Sequence, residues 1–471
     1  MRIYGLCLMA LAAAAPSAAA PAGAASEETG AVPAAPAEPQ SPSAPRSRER
    51  ERVDPNATTE FRFIYGTPDE KYPYYAGLPK ELWPYSKIEP YERFFITRMP
   101  FRGPGRDYPP PPDLKSLRIG LLDSPKYGPN WDRSVSTHDG IVLAVEEANR
   151  ARKSGQLPFE LVERVGVAQW GGAGNLAVDF ADQGVLGYLG TIDGAEAHVA
   201  LRVTLKTEVV MVNTSDPDPT LTETNIPWLI RVFPDHRLEE ARMAELIVHQ
   251  LGFKRIAILR ESDRYGRLGV HYFMGFARRL GCPAVQELLF TPGQTDIHHQ
   301  LAAIKDSQPD AIFFIGEPDD IGRFAKQFRQ AGIQARFFGT GMLMDDRFLQ
   351  NAGEAAEGAM ITYFLDPAAK DPLWASFAAH FKERWGHEPD AYAAYGYDGA
   401  QILIGAIQRA GPNRWRIRDE VCNLDFYKGV TGWMQFDGSG NNIAPVRIVR
   451  FERGRRVLEP EPEFSPSVAQ R

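Results

Sequence analysis

This sequence of 471 residues has few cysteines, no long apolar stretch and no strong excess of one charge. Its 3 cysteines fall far below the density of a disulfide-stapled scaffold, so the core must form by burial of the 44% of residues that are hydrophobic. No uninterrupted apolar run reaches the roughly 20 residues needed to cross a bilayer. The formal net charge of −7, with no lysine- or arginine-rich face, argues against a nucleic-acid partner.

Catalytic and metal-binding signatures are also missing. The sequence has no G-x-S-x-G elbow, no GxxxxGK[ST] loop and no H-E-x-x-H helix, and its 9 histidines form no spaced metal cluster. It therefore predicts a protein that is not an enzyme and holds neither a metal nor a cofactor.

One motif supports a remote alternative, an NAD-dependent oxidoreductase. Gly172, Gly174 and Ala177 fit G-x-G-x-x-A, and Asp193 lies about 20 residues further on, as a dinucleotide site requires. The preceding residues 163–170 are poor candidates for a buried strand, which argues against this alternative.

The first 116 residues divide into three segments. Residues 1–25 combine Arg2, an apolar run and small residues, which predicts a secretory signal peptide and hence a soluble protein that is periplasmic or otherwise exported. Residues 26–60, rich in Ala, Pro, Glu and Ser, predict a disordered linker. Residues 61–116 form an arm dense in aromatics and prolines up to Pro112. We expect this arm either to pack on its own domain or to dock on another periplasmic protein.

From residue 117 one unit repeats, in which a short apolar run ends in a polar or glycine turn and an amphipathic helix follows. This rhythm predicts an α/β protein with parallel sheets that are covered by helices on both faces. The apolar runs are residues 117–122, 186–189, 209–212, 255–259 and 311–315. One series of units closes near Asp235 and another begins at Lys254, so two similar lobes are expected. Cys282 and Cys422 follow the signal peptide, and the sequence leaves open whether they pair.

Several short motifs follow one another in a characteristic order between residues 117 and 454. They are GIVLAVEEAN at 140–149, GYLG at 187–190, WLIR at 228–231, DRYGR at 263–267, YGYD at 395–398 and GVTG at 429–432. In this order they resemble the type I periplasmic solute-binding proteins, the branched-chain amino acid and amide binding family that serves ABC importers.

That resemblance implies two Rossmann-like lobes with parallel-type sheets, joined by hinge strands, and a cleft that closes on the ligand. It places lobe 1 at residues 117–234 and 365–430, lobe 2 at residues 235–364 and 431–456, and a C-terminal tail at 457–471.

The resemblance also implies an ABC permease in the inner membrane as a partner. The predicted function is capture of a small polar solute (amino-acid-like, amide or amine) for an ABC importer. The alternative is a periplasmic sensor or accessory module that docks on another protein through its arm.

Turn residues after two lobe 1 strands are the first candidates for ligand contact, since ligands bind such sheets at the carboxyl ends of the strands. Asp193 and Gly194 open a helix in a D-x-x-E pattern that is also a capping box, so a cap, a ligand contact or both are expected. Asn213, Thr214 and Asp216 follow the next strand, where the family places its second ligand-binding loop. Turn chemistry is the alternative role of these three residues.

Further candidates lie in other loops. Tyr265 resembles the tyrosine that faces the cleft from the second lobe in the family, with packing at a helix end as the alternative. Glu317 either reaches the cleft or begins a helix. Tyr127, Trp131 and Arg133 lie in the first loop, where surface packing and ligand contact are both open.

Departures from the family's pattern bear on the solute. Gly194 and Pro217 stand where amino-acid-binding members hold the α-carboxylate with hydroxyl groups. Gly341 and Met342 stand where those members place a carboxylate against the α-ammonium. A free α-amino acid is therefore not expected as the ligand.

Acidic side chains in the candidate loops favour a different solute. Asp193, Asp216 and Glu317 suit an amine, amide or polyol, because carboxylates accept charge-assisted hydrogen bonds.

Overall fold

A computed structural model describes residues 103–123, 131–166, 171–191, 193–365 and 371–460. These residues contain a five-stranded sheet, a seven-stranded sheet and a two-stranded hairpin. Within these ranges no helix is both long and apolar enough to span a membrane.

The five-stranded sheet is wholly parallel. Its strands are β1 (Leu117–Asp123), β2 (Phe159–Val165), β3 (Gly187–Gly190), β4 (Val210–Asn213) and β5 (Leu229–Arg231), in the spatial order β2-β1-β3-β4-β5. Strands β3 and β4 are buried at every residue, as expected of a parallel sheet covered on both faces. Strand β2 lies at the edge and buries only Phe159 fully. This partial burial explains why its sequence predicts a buried strand poorly.

The seven-stranded sheet has a parallel part and an antiparallel edge. Its strands are β6 (Ile256–Glu261), β7 (Gln286–Phe290), β8 (Ala311–Ile315), β9 (Arg336–Gly339), β10 (Met360–Tyr363), β13 (Arg447–Glu452) and β14 (Arg455–Leu458). Strands β11 (Phe426–Gly429) and β12 (Gly432–Gln435) form the separate hairpin. The sheet order is β14-β13-β10-β9-β8-β6-β7, with β13 antiparallel to β10 and β14 antiparallel to β13. The predicted α/β fold with parallel sheets is confirmed, and all five predicted apolar runs are strands within two residues at either end.

Helices connect these strands. They are α1 (Trp131–Arg150), α2 (Gly172–Asp182), α3 (Gly194–Thr207), α4 (Thr220–Glu223), α5 (His236–Ala244) with its π-helical continuation Glu245–Gln250, α6 (Arg264–Arg279), α7 (His298–Ser307), α8 (Pro318–Gln330), α9 (Asp346–Ala352), α10 (Pro372–Trp385), α11 (Ala391–Ala410) and α12 (Arg414–Cys422). An aspartate or asparagine side chain accepts hydrogen bonds from first-turn N–H groups of α3, α5, α6, α9, α10, α11 and α12. Short polar side chains before the helices therefore fix where they begin.

A buried polar network joins two of the segments that run between the sheets. Arg231 at the end of β5 donates to Asp235 Oδ2 at 2.8 Å and to Asn441 Oδ1 at 3.0 Å, and Asn441 Nδ2 donates to the same Asp235 oxygen at 3.0 Å. All three residues are fully buried. Burial acts to raise the pKa of Asp235, but the guanidinium groups of Arg237 and Arg231 outweigh it and lower the pKa. A buried ion pair requires such full pairing, so this network fixes the two segments against each other.

Several details bear on the sequence predictions. Strands β11 and β12 pair over Phe426–Gln435, so the predicted lobe boundary between residues 430 and 431 lies inside a hairpin. Cys282 and Cys422 are buried in different hydrophobic clusters and are not joined by a disulfide. The Cys282 thiol instead donates to the carbonyl of Lys254 at 3.4 Å.

The end of the predicted arm packs on helix α12. Residues 103–108 contain a 3-10 turn, Pro104–Asp107, and Asn413 Nδ2 donates to the carbonyls of Gly105 and Tyr108, at 3.0 Å each. Arg106 donates to both carboxylate oxygens of Asp419, at 2.5 and 2.8 Å. This part of the arm packs on its own domain. Residues 61–102 of the arm, the linker and the signal peptide lie outside the described residues.

Candidate functional site

A cavity of about 170 Å³ lies between strand ends of the two sheets. Pockets that hold drug-sized ligands measure roughly 300–1,000 Å³, so this cavity suits a small solute. It is lined by Arg133, Asp193, Gly194, Ala195, Ser215, Asp216, Pro217, Asp218, Phe233, His236, Glu239, Asp263, Arg264, Tyr265, Leu268, Glu317, Met342, Phe364 and Tyr392.

Six of the candidates from the sequence meet at this cavity: Arg133, Asp193, Gly194, Asp216, Tyr265 and Glu317. Asp193 accepts hydrogen bonds from the backbone N–H of Ala195 at 2.8 Å and of Glu196 at 3.0 Å. It is therefore both a helix cap and part of the cavity wall. The Tyr265 hydroxyl donates to Thr340 Oγ1 at 2.7 Å, and its ring packs against His236.

The remaining candidates do not line the cavity. Asn213 and Thr214 are fully buried beneath it. Asn213 donates to the Thr191 carbonyl at 3.0 Å and accepts from the Asp216 N–H at 3.1 Å, so it supports the loop that carries Asp216. Trp131 is the first residue of α1, away from the cavity lining, and Tyr127 lies outside the described residues.

Arg133 and Glu317 form an ion pair across the cavity. Two hydrogen bonds of 2.8 Å join the guanidinium of Arg133, on α1, to the carboxylate of Glu317, which follows β8. Burial acts to lower the pKa of Arg133, but the Glu317 carboxylate outweighs it and raises the pKa. The sequence gives no signal for this pair because its members are 184 residues apart.

A second interlobe pair joins Arg264 and Asp218. Arg264 Nε donates to Asp218 Oδ2 at 2.8 Å, and Thr220 Oγ1 donates to Asp218 Oδ1 at 2.7 Å. Burial acts to raise the pKa of Asp218, while hydrogen bonds from His198, Thr220 and Arg264 outweigh it and lower the pKa. Asp218 is therefore ionised, and both arginines that line the cavity are paired with carboxylates.

Asp216 differs from its neighbour Asp218. It is 3% exposed, its Oδ1 accepts from the Asp218 N–H at 3.1 Å, and its Oδ2 has no hydrogen-bond partner among the described residues. Burial, and then the charge of Asp218, raise the pKa of Asp216 well above its usual range. An unsatisfied buried carboxyl oxygen is costly, so a ligand that hydrogen-bonds to Oδ2 would be stabilised, and a cationic ligand would favour the ionised carboxylate.

Helix α5 contributes His236 and Glu239 to the cavity lining, and the His236 N–H donates to the carbonyl of Pro217, next to Asp216, at 3.0 Å. His236 is 1% exposed, and neither ring nitrogen has a hydrogen-bond partner in the described part of the chain. Its Nδ1 lies 3.5 Å from Glu240 Oε1, without hydrogen-bond geometry. Burial lowers the pKa of His236 to about 4, so the imidazole is neutral at pH 7. Burial also raises the pKa of Glu239 to about 7, although the Gly341 N–H and the Thr362 hydroxyl donate to it.

Aromatic rings form the apolar wall. Phe233 stacks on Tyr392, with ring centroids 5.3 Å apart, and meets Phe364 edge-on at 4.9 Å. Phe233 and Phe364 lie in segments that run between the sheets, and Tyr392 lies at the start of α11. The sequence predictions missed these rings, His236, Glu239 and Arg264, because nothing local in the sequence tells which of many buried polar and aromatic residues face a cavity.

The dinucleotide-like motif lies elsewhere. Gly172, Gly174 and Ala177 belong to α2, which follows the edge strand β2, and none of them lines the cavity. A dinucleotide site needs its motif after a central strand at a switch point of the sheet. Among the described residues no group of three or more His, Cys, Asp or Glu side chains is placed to hold a metal ion.

Comparison with known proteins agrees with this architecture. A family model described as a periplasmic binding protein matches residues 116–456. An amino acid binding protein of Pseudomonas aeruginosa is 24% identical over 238 residues, which span 50% of this chain and 62% of that protein. The Leu/Ile/Val-binding protein homolog 2 of Brucella abortus is 23% identical over 324 residues, 67% of this chain and 85% of that protein.

Solved structures show the same fold. A leucine binding protein, LivK, from Thermotoga maritima superposes with a TM-score of 0.66 at 26% identity, over 73% of this chain and 98% of that chain. The substrate binding protein LivJ from Streptococcus pneumoniae, in complex with isoleucine, gives a TM-score of 0.66 at 20% identity, over 73% of this chain and 99% of that chain. The family model, the two sheets and the cavity between them lead to one conclusion: this chain belongs to the periplasmic binding protein family, in its two-lobed type I form.

Proposed function

We propose that this protein is exported, captures a small polar solute in the cavity between its lobes and presents it to an ABC importer. The solute is amino-acid-like, an amide or an amine. The observation that carries the proposal is the cavity itself, which is lined from both lobes and bridged by the Arg133–Glu317 and Arg264–Asp218 pairs. A solute enclosed in this way loses its contact with water, which strengthens its polar interactions.

The relatives support transport as the role. Proteins similar to this chain are described as binding leucine, isoleucine and valine, and a solute binding protein of R. palustris with the same fold, at 17% identity, is described in complex with benzoate. Because one fold binds this range of ligands, the side chains that line the cavity determine which solute is bound. Export is proposed from residues 1–25 and from the family, and an inner-membrane permease is the partner that such a role requires.

A thermal-shift screen of the purified mature protein tests the proposal. The panel contains amino acids, amides, polyamines, polyols, aromatic acids and NAD, because any ligand that binds only the folded state raises the melting temperature. Small-angle scattering with each positive solute then measures lobe closure. A melting shift accompanied by a smaller radius of gyration supports the proposal. No shift with any solute, or a shift with NAD alone, contradicts it.

The accessory-module alternative depends on the arm. The described residues 103–108 pack on α12, which favours an arm that belongs to its own lobe. Deleting residues 61–102 separates the two functions. If the protein is a transport receptor, the deletion variant keeps its solute affinity and its partners. If it is an accessory module, the deletion variant no longer captures a periplasmic partner.

A further inference from the structure

Two buried polar side chains that line the cavity carry atoms without a hydrogen-bond partner. Asp216 Oδ2 and both ring nitrogens of His236 have no hydrogen-bond partner among the described residues, and both residues line the cavity. The two residues are 3% and 1% exposed. Groups buried to this extent are normally satisfied, so a polar ligand in the cavity would supply the hydrogen bonds that these two side chains lack.

Acidic side chains of the protein surround the N-terminus of helix α3, where a ligand carboxylate would otherwise be expected to bind. Helix α3 directs its N-terminus at the cavity, and free N–H groups at such a terminus attract anions. Here Asp193 accepts the N–H groups of Ala195 and Glu196. A side-chain Cβ at Gly194 would lie 3.1 Å from Oδ2 of both Asp216 and Asp218. A ligand carboxylate at this point would therefore meet three acidic side chains.

The charge of the whole cavity agrees with this arrangement. Two arginines line it, and each is engaged by a carboxylate of the opposite lobe. Six acidic side chains line it: Asp193, Asp216, Asp218, Glu239, Asp263 and Glu317. Because both arginines are paired, no cationic group among the described lining residues is left for an anionic ligand. A cation meets several carboxyl groups, and its charge would favour ionisation of Asp216 and Glu239, whose pKa values burial raises.

The aromatic wall indicates what the apolar part of the ligand contacts. Phe233, Phe364 and Tyr392 present ring surface to the cavity, with Met342 and Leu268 beside them. Such a wall accepts a small apolar body, and aromatic faces also attract organic cations.

Building on the proposed function, we propose that the solute is a small amine without a carboxylate group, whose ammonium binds Asp216 and whose second donor or acceptor binds His236. Its apolar body rests on Phe233, Phe364 and Tyr392. Asp216 and His236 are then the residues that determine specificity. The arginine pairs close the cavity without contacting the charged end of the solute.

Isothermal titration with a matched set of ligands tests this assignment. The set is leucinol, leucine and 4-methylpentanoate, which share a branched apolar body and carry an ammonium with a hydroxyl, an ammonium with a carboxylate, and a carboxylate alone. We expect leucinol to bind at least tenfold more tightly than leucine, and 4-methylpentanoate not to bind. Asp216→Asn and His236→Phe should each weaken leucinol binding about tenfold or more, because each removes a bond to a buried polar group. Asp296→Asn, which removes an exposed carboxylate elsewhere, is the control and should change nothing.

The outcomes separate this inference from the proposed function. If leucine or 4-methylpentanoate binds as tightly as leucinol, or if Asp216→Asn binds leucinol as wild type does, the assignment is overturned while the receptor function stands. If the wider solute panel yields no ligand, both are lost. Circular dichroism spectra establish that each variant is folded, and Asp216→Ser provides a second variant at this position.

Discussion

Arg133 on α1 and Glu317 before α8 are joined by two parallel hydrogen bonds of 2.8 Å that cross the cavity from one lobe to the other. The Arg133 side chain is 5% exposed and that of Glu317 is 26% exposed. A bidentate pair in this geometry is strong and directional. It therefore favours the arrangement in which the lobes lie together.

Arg133→Met should shift the protein toward a more open arrangement. Glu317 regains water in the variant, whereas the closed arrangement loses its bidentate contact. We expect a larger radius of gyration by small-angle scattering and about a tenfold loss of solute affinity, since ~1.4 kcal/mol corresponds to a factor of ten. Arg260→Met removes a comparable pair with Glu287, 2.7 Å apart within the seven-stranded sheet, and should leave both quantities unchanged. Equal scattering and affinity for wild type and Arg133→Met would contradict the assignment.

Glu239→Gln should change how stability depends on pH. Burial raises the pKa of Glu239 to about 7, above its value in the unfolded chain. The stability it contributes is therefore fully present below about pH 4.5 and is lost as the pH rises through 7. Glutamine keeps the acceptor for Gly341 and Thr362 but does not ionise.

Between pH 5 and pH 8, Glu239→Gln should gain stability relative to wild type, by at most about 3 kcal/mol from the raised pKa. Urea unfolding at both pH values measures the difference. Glu383→Gln, at an exposed position on α10, is the control and should follow wild type. A constant difference between Glu239→Gln and wild type at the two pH values would rule out this role for Glu239.

Two glycines provide a matched test of helix packing. A Cβ at Gly140 on α1 would lie 2.0 Å from the carbonyl oxygen of Ala393 on α11, so these helices approach at glycine. Gly140→Ala should destabilise the protein by about 3 kcal/mol or more, because the backbone must shift. Gly275 on α6 has no atom within 4 Å of the same position, and Gly275→Ala should stabilise by up to about 1 kcal/mol. Thermal unfolding should move in opposite directions for the two variants.

Gly105→Val should release the end of the arm from helix α12. A Cβ at Gly105 would lie 2.1 Å from Nε1 of Trp415, so the valine side chain cannot fit against that ring. Hydrogen exchange at residues 103–108 should accelerate by tenfold or more while the sheets keep their protection. Tyr108→Ala removes a side chain that is 59% exposed and should leave the exchange unchanged. Unaltered exchange in Gly105→Val would mean that the contact with Trp415 does not hold the segment.

Local pattern predicted the fold closely. The apolar run at residues 311–315 is β8 without any shift, and the ends of the runs in the first lobe differ from the strand ends by at most one residue, because continuous apolar stretches have few alternatives in a parallel sheet. The aspartate before α3 forms the predicted cap for the same local reason. Strand β2 escaped prediction because an edge strand needs only partial burial.

The site was predictable only in part. Turn positions after strands indicated Asp193, Asp216 and Glu317, and all three line the cavity. The same rule could not separate Asp216 from Asn213, which lies three residues earlier and supports the loop from below. Which of the two faces the cavity depends on the path of the loop above the sheet.

The sequence by itself determined the alternation of strands and helices, the helix caps and the positions of the strand-end turns, because each depends on neighbours a few residues away. Only the tertiary structure decided that Glu317 is matched by Arg133, that Asp218 is matched by Arg264 and that Oδ2 of Asp216 has no hydrogen-bond partner among the described residues. Those outcomes depend on burial and on contacts between residues far apart in the chain, and burial sets the free energy of a charge far more than its identity does.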